Sequence, residues 1–227
     1  MNVGDLMAAW FSDPANWSGP AGIPARFGEH VLYSALAMAV AALIAIPAGL
    51  LTGHTGRGGF LAVTLANVGR ALPTIGVMFL VVLVMGIGLV PIEVALVVLA
   101  IPPILVNTYE GVRAVEPGLT DAARGMGMRA PQVLLRLELP VAAPMVLLGL
   151  RTAAIQVVAT ATIAAYAGAG GLGKFIFDGQ KRQEFGMVAG GSLLVVLLAV
   201  LVIAFFALLS RVAVARGLRA GAAAGRR

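Results

Sequence analysis

From Val31 to Leu51, and again from Met187 to Leu209, the chain carries no charged residue. A run of about 20 apolar residues is what an α-helix needs to cross the ~30 Å hydrocarbon core of a bilayer, whereas a spanning strand needs only about 9–11. Within that core every backbone N–H and C=O must be bonded inside the segment, so runs of this length read as membrane-spanning helices. Three further stretches share the character. Phe60–Gly86 is interrupted by Arg70 and Pro73; Pro91–Tyr109 carries Glu93 near its start and Pro102-Pro103 inside; Leu139–Ala165 carries Pro140, Pro144 and Arg151. The expectation is an all-α integral membrane protein of about five transmembrane helices, or six if Arg70 and Pro73 split the second stretch.

Composition excludes a soluble body. Hydrophobic residues make up 60% of the chain and charged residues 11%, against about 25% charged in an ordinary soluble domain. Mean hydropathy is +0.98. With no cysteine, disulfides, thiolate metal sites and cysteine nucleophiles are ruled out. The net charge of +6 is no nucleic-acid signature, because Arg211, Arg216, Arg219, Arg226 and Arg227 follow the last apolar run. That is the pattern of a cytoplasmic membrane flank, so membrane lipid is an expected partner and nucleic acid is not. Residues 1–26 carry Asp5 and Asp13 and lack the basic start and apolar core of a cleaved signal; Trp10 and Trp17 suit an amphipathic segment at the interface.

Loop charges set the orientation. With five spans and the C-terminus inside, Arg57, Arg113, Arg124, Arg129, Arg136 and the five tail arginines face the cytoplasm. Arg26, Lys174, Lys181 and Arg182 face outward. Ten against four is a positive-inside bias. It predicts a multi-pass protein of the bacterial inner membrane with the N-terminus outside. Three regions follow: an extracytoplasmic or interfacial segment at 1–29, a transmembrane domain at 30–212, and a basic cytoplasmic tail at 213–227.

The inner loop between the third and fourth spans is the most informative segment. In "EPGLTDAARGMGMRAPQVLLRLELPVAAP", Glu116 to Pro144, Pro117 suits the first turn of a helix. Gly125 and Gly127 suit its end. Pro131 opens a second helix with Val133, Leu134 and Leu137 on one face. The spacing predicts a helix–turn–helix running into the fourth span. It also resembles the cytoplasmic loop of permease subunits of ATP-binding-cassette importers: E-A-A, three residues, Gly, nine residues, I-x-L-P. Here the pattern reads Asp121-Ala122-Ala123, Gly127, then Leu137-Glu138-Leu139-Pro140, with Asp for Glu and Leu for Ile.

The resemblance implies a type I importer permease with a MetI-like (methionine-importer-like) fold. The loop at 113–138, with Leu139 and Pro140, would couple to a separate ATPase that binds the ATP, so no cofactor is expected in this chain. It implies two permease subunits, identical or not, and an extracytoplasmic solute-binding protein. "SALAMAVAALIAIPAGLLTG", "ANVGRALPTIGVM", "PPILVNTYEGV" and "GLRTAAIQVVATATIAAYAGAGGLGKFIFDGQ" resemble the osmoprotectant branch, which carries glycine betaine, choline, carnitine and related quaternary amines. Methionine importer permeases share the glycine-rich stretch and are the alternative.

Polar residues in the third and fourth spans, Asn107, Tyr109, Gln156, Thr160, Thr162 and Tyr166, are candidates for the translocation path, though each suits a helix–helix hydrogen bond better than a substrate contact. Arg70, Glu93 and Arg151 stand out because a charge at a helix centre costs about 2.5–3.5 kcal/mol on insertion scales. Glu93 lies near the end of its span, and arginine can snorkel. With only His30 and His54 and no cysteine, a metal or nucleophile cluster cannot be assembled, so the chain is not expected to be an enzyme. A stand-alone channel or carrier would favour several acidic residues along one path, and only Glu93 is present.

The stretch "AGAGGLGKF", Ala167 to Phe175, matches a dinucleotide fingerprint and nearly a P-loop. It follows a long apolar helix rather than a strand, has Phe175 where a P-loop needs Ser or Thr, and falls on the face opposite the ATPase. Gly170, Gly171 and Gly173, with Asp178, Lys181 and Arg182, are instead expected to form an outer turn where the solute-binding protein docks.

Overall fold

The computed structural model describes residues 2–71 and 73–224. They form ten α-helices and no strand: α1 Val3–Ser12, α2 Ile23–Thr55, α3 Gly59–Ala71, α4 Thr74–Met85, α5 Leu89–Arg113, α6 Pro117–Gly125, α7 Ala130–Val133, α8 Leu139–Ala164, α9 Gly173–Arg182 and α10 Phe185–Ala224. A 3-10 turn, Pro14–Trp17, follows α1, and a π-helical turn, Leu134–Glu138, joins α7 to α8.

Four helical runs are long and apolar enough to cross a membrane: Ile23–Thr55, Leu89–Arg113, Ala130–Ala164 and Phe185–Arg211. The second apolar stretch is a broken pair, α3 of 13 residues and α4 of 12. Neither reaches the ~20 residues of a span, so the count is four spans, or five with the pair as one. The six-span alternative fails on length. Many large side chains left exposed on the long helices are apolar, among them Leu43, Val196, Val200, Phe205 and Leu208. A helix apolar on every side belongs in lipid. Arg226 and Arg227 lie outside the described residues, as do the side chains of Arg70, Arg216 and Arg219.

The chain divides into two compact units. The first comprises Met1–Val40, Leu72–Ala100 and Ala154–Val202. Its core joins Ile23, Val158, Leu172, Phe175, Leu194 and Leu198, with Trp10, Phe11 and Phe27 packed against it. Helix α1 is N-capped by Asn2 and Asp5, each side chain bonded to the other's backbone N–H. Sequence places Trp10 at the interface; in the structure it turns inward, edge-on to Phe175 at 5.2 Å. A Cβ on Gly190 would collide with its indole.

The second unit comprises Ala41–Ala71, Ile101–Ala153 and Ile203–Arg227. Leu50, Val112, Ala142 and Val146 form its core. Small residues let backbones approach, as membrane helix packing favours. A Cβ on Gly49 would sit 2.7 Å from Thr108 Cβ, and one on Gly149 would sit 2.9 Å from the Pro103 carbonyl oxygen. Pro47, Pro102, Pro103 and Pro144 lie inside helices, which neighbouring helices make tolerable in a membrane.

Candidate functional site

Two sites are built from the segments that precede and follow α8. In the second unit, Pro117 opens α6 behind Glu116, and the helix ends at Gly125. Gly127 has φ +87°, a conformation that costs an L-residue roughly 1–2 kcal/mol. The Met128 N–H donates to the Ala123 carbonyl at 3.1 Å, and the Gly127 N–H donates to that of Arg124 at 2.9 Å. This pair of bonds is a Schellman stop, so the motif's glycine has a backbone reason. Asp121 and Ala122 are exposed on α6, while Ala123 is buried. One alanine of the pair faces outward and the other fastens α6 to its own chain.

The reverse arm begins at Arg129, with Pro131 in the first turn of α7. Val133 is fully buried, and Leu134 and Leu139 pack on the core of this unit. Leu137 is half-buried and Pro140 exposed. Proline lacks an N–H, and its ring crowds the carbonyl four residues back. The backbone accommodates Pro140 by widening into the π turn, with the Leu139 N–H donating to the Leu134 carbonyl. In a regular helix at about 100° per residue, position 138 would point roughly 140° away from Val133. The extra residue in the π turn swings it back. Glu138 is accordingly buried, and its Oε2 lies 2.6 Å from His54 Nδ1 on α2. Sequence reading missed this pair; its one sign was an acidic residue inside an otherwise apolar L-E-L-P.

In the first unit the glycine-rich stretch turns between α8 and α9. Gly168 and Gly171 have φ of +96° and +85°. The Gly171 N–H donates to Glu29 Oε2 at 2.8 Å, and the Leu172 N–H donates to His30 Nδ1 at 3.3 Å. His30 Nε2 lies 3.0 Å from the Val158 carbonyl oxygen, and Arg26 Nη1 lies 2.9 Å from Glu29 Oε2. His30 is 0% exposed. With Nδ1 accepting and Nε2 donating, its ring is a neutral bridge between α2, α8 and the turn. A Cβ at Gly170 would overlap the Glu29 carboxylate, and one at Gly173 would overlap the Thr162 carbonyl. The stretch is therefore a turn clamped by α2 side chains. Sequence reading missed α9, whose Lys174, Asp178 and Arg182 recur every four residues on one face. It missed Glu29 and His30 as well.

In the second unit Asn107 Nδ2 donates to the Pro103 carbonyl at 2.7 Å, and the Tyr109 ring lies over Gly59. In the first unit Thr162 Oγ1 donates to the Ala159 carbonyl at 2.6 Å, Thr160 is buried, and Gln156 is half-buried. Tyr166 is exposed and edge-on to Phe79 at 5.7 Å and to Phe177 at 5.4 Å. Both carboxylate oxygens of Glu93 are buried without a hydrogen-bond partner among the described residues. Asp178 is half-buried; Lys181 and Arg182 are exposed. No group of three or more His, Asp or Glu among the described residues is placed to hold a metal.

Residues 45–220 match a family model described as "Binding-protein-dependent transport system inner membrane component". The chain is 33% identical over 174 residues to the choline transport system permease protein OpuBB of Bacillus subtilis, covering 77% of this chain and 80% of that one. It is 31% identical over 194 residues to the glycine betaine/carnitine/choline transport system permease protein OpuCB of the same organism, covering 86% and 89%. Among solved structures, an inward-facing conformation of the MetNI methionine transporter superposes with a TM-score of 0.74 at 23% identity. That superposition covers 89% of this chain and 99% of the other.

Proposed function

The chain belongs to the family of binding-protein-dependent transport system inner membrane components, and on that premise we propose that it is the permease of an ATP-driven osmoprotectant importer. Its cargo is a quaternary amine such as glycine betaine, choline or carnitine, the substrates named for its relatives. The likeness to the methionine transporter is one of fold and gives the methionine alternative no further support. The chain carries no catalysis of its own; a partner ATPase binds and hydrolyses the ATP. Two permease subunits form the path, and an extracytoplasmic solute-binding protein delivers the cargo.

The α6–turn–α7 segment carries this reading. Asp121 and Ala122 offer an exposed face to the ATPase, Gly127 sets the turn, and Leu137, Leu139 and Pro140 pass into α8. The buried Glu138–His54 contact ties the segment to α2. A force applied to α6 thus reaches two spanning helices through packed side chains, the kind of rigid-body transmission that switching proteins use. Gly170, Gly171, Gly173, Asp178, Lys181 and Arg182 follow α8 and supply the docking face for the binding protein. Asn107, Tyr109, Gln156, Thr160, Thr162 and Tyr166 are the polar groups available to the path. The N-terminus lies outside and the basic tail in the cytoplasm.

The test is reconstitution. The chain should co-purify with its ATPase, and uptake into liposomes should require ATP and the binding protein. That binding protein should take quaternary amines in preference to methionine. Uptake by the chain alone would refute the importer reading, and a binding protein that takes methionine and no quaternary amine would refute the cargo.

A further inference from the structure

A cleft of about 230 Å³ opens in the first unit beside α9. Five charged side chains line it: Arg26, Lys174 and Arg182 with Asp178 and Glu184. Lys174, Asp178 and Arg182 are spaced to pair along the helix, yet none of them, nor Glu184, forms a salt bridge with another. The same wall includes Phe175 and Met187. Phe175 belongs to the apolar core of this unit and is 4% exposed. The cleft therefore holds cations and carboxylates that do not satisfy one another, beside the half-buried Met187. Its volume is below the ~300–1,000 Å³ of a drug-sized pocket.

We propose that this cleft binds a small zwitterion, its anionic group held by Arg26, Lys174 and Arg182 and its ammonium by Asp178 and Glu184. The thioether of Met187 suits the methyl groups of a quaternary ammonium, which has no N–H to donate and is held here by the charge of Asp178 and Glu184. A cation without a carboxylate engages half the site and leaves Lys174 and Arg182 without an anionic group of the ligand. The site is wired to the turn. Arg26 lines the cleft and also pairs with Glu29, whose Oε2 accepts the Gly171 N–H. An anionic group drawing on Arg26 competes directly with Glu29. Zwitterion binding thus bears on the clamp that holds the glycine turn, on the face assigned above to the docking protein.

A free zwitterion and a zwitterionic phospholipid headgroup share this chemistry, and the experiment separates them. The permease–ATPase complex is placed in nanodiscs of phosphatidylglycerol without binding protein and titrated calorimetrically with glycine betaine, choline and acetate. Glycine betaine should bind at least ten-fold more tightly than either single-charge probe. The double variants K174A/R182A and D178N/E184Q should each weaken it ten-fold or more while still co-purifying with the ATPase. If adding phosphatidylethanolamine abolishes the glycine betaine signal, the lipid headgroup is the resident zwitterion; an unchanged signal assigns the cleft to the free solute. Choline binding as tight as glycine betaine, no binding at all, or binding indifferent to both double variants would overturn the proposal. Direct binding is the readout, so failure here leaves the importer reading standing.

Discussion

Replacing His54 by Ala tests whether the α6–α7 segment is fastened to α2 through the Glu138 contact. The side chains of His54 and Glu138 are 13% and 6% exposed, with Nδ1 and Oε2 2.6 Å apart. Glu138 has no other hydrogen-bond partner among the described residues. His54→Ala leaves the Glu138 carboxyl buried and unpaired, and a buried group left without its hydrogen-bond partner costs about 1–3 kcal/mol. His54→Gln keeps an N–H donor, so its loss should stay near the ~1 kcal/mol of an ordinary hydrogen bond. Replacing both partners by Leu removes the stranded carboxyl and should recover most of the loss, since replacing both partners of a buried hydrogen bond by apolar groups can be nearly neutral. With wild type and the single variants His54→Leu and Glu138→Leu, the double variant completes a double-mutant cycle, read by chemical unfolding of the purified chain in mixed micelles. Uptake per ATP hydrolysed is measured alongside in reconstituted complexes, and His54→Ala should lower that ratio. A loss below about 1 kcal/mol for His54→Ala, or a double variant equal to the sum of the single losses, would refute the reasoning.

At Gly127, φ is +87°, so Gly127→Asp forces an L-residue into the left-handed region at a cost of roughly 1–2 kcal/mol and distorts the Schellman stop; ATPase co-purification or coupled uptake should fall, and normal values of both would count against the coupling role. Gly170→Ala places a methyl group in the Glu29 carboxylate, so the Gly171 N–H should lose its partner and exchange hydrogen at least several-fold faster by mass spectrometry; unchanged protection would mean the clamp is not formed. His30→Phe keeps the ring volume but strips the Leu172 N–H of its acceptor, and a buried donor left unsatisfied costs about 1–3 kcal/mol, measurable as a lowered unfolding midpoint. Gly190→Val pushes against the Trp10 indole; α1 should detach, shifting Trp10 emission to longer wavelength and exposing residues 1–22 to protease.

Much of the architecture was legible in the residues. The uncharged runs required spanning helices because lipid offers the backbone no hydrogen-bond partner, and four long helices stand where apolar runs predicted spans. Their ends were less legible. Helix α2 begins at Ile23 rather than at Val31, since the hydrocarbon core limits how many residues must be apolar and not how far a helix continues beyond it. In the 116–144 segment, Pro117, Gly127 and Pro131 act through local backbone geometry, so helix, turn and helix fell at the expected positions. The π turn escaped notice because it answers a steric demand of Pro140, which hydrophobic periodicity does not register.

The glycine stretch marks the other boundary. Its context in the chain excluded a nucleotide site, since no strand precedes it and Phe175 stands where Ser or Thr is needed. That these glycines lie beneath Glu29 and His30, more than a hundred positions earlier in the chain, depends on the packing of α2 against α8. Local pattern in a chain reports what each segment must be, because helix formation in lipid and turn chemistry are short-range requirements. Which buried groups complete one another, His54 with Glu138 or His30 with Leu172, follows from long-range packing. The spacing of residues along one helix carries no record of it.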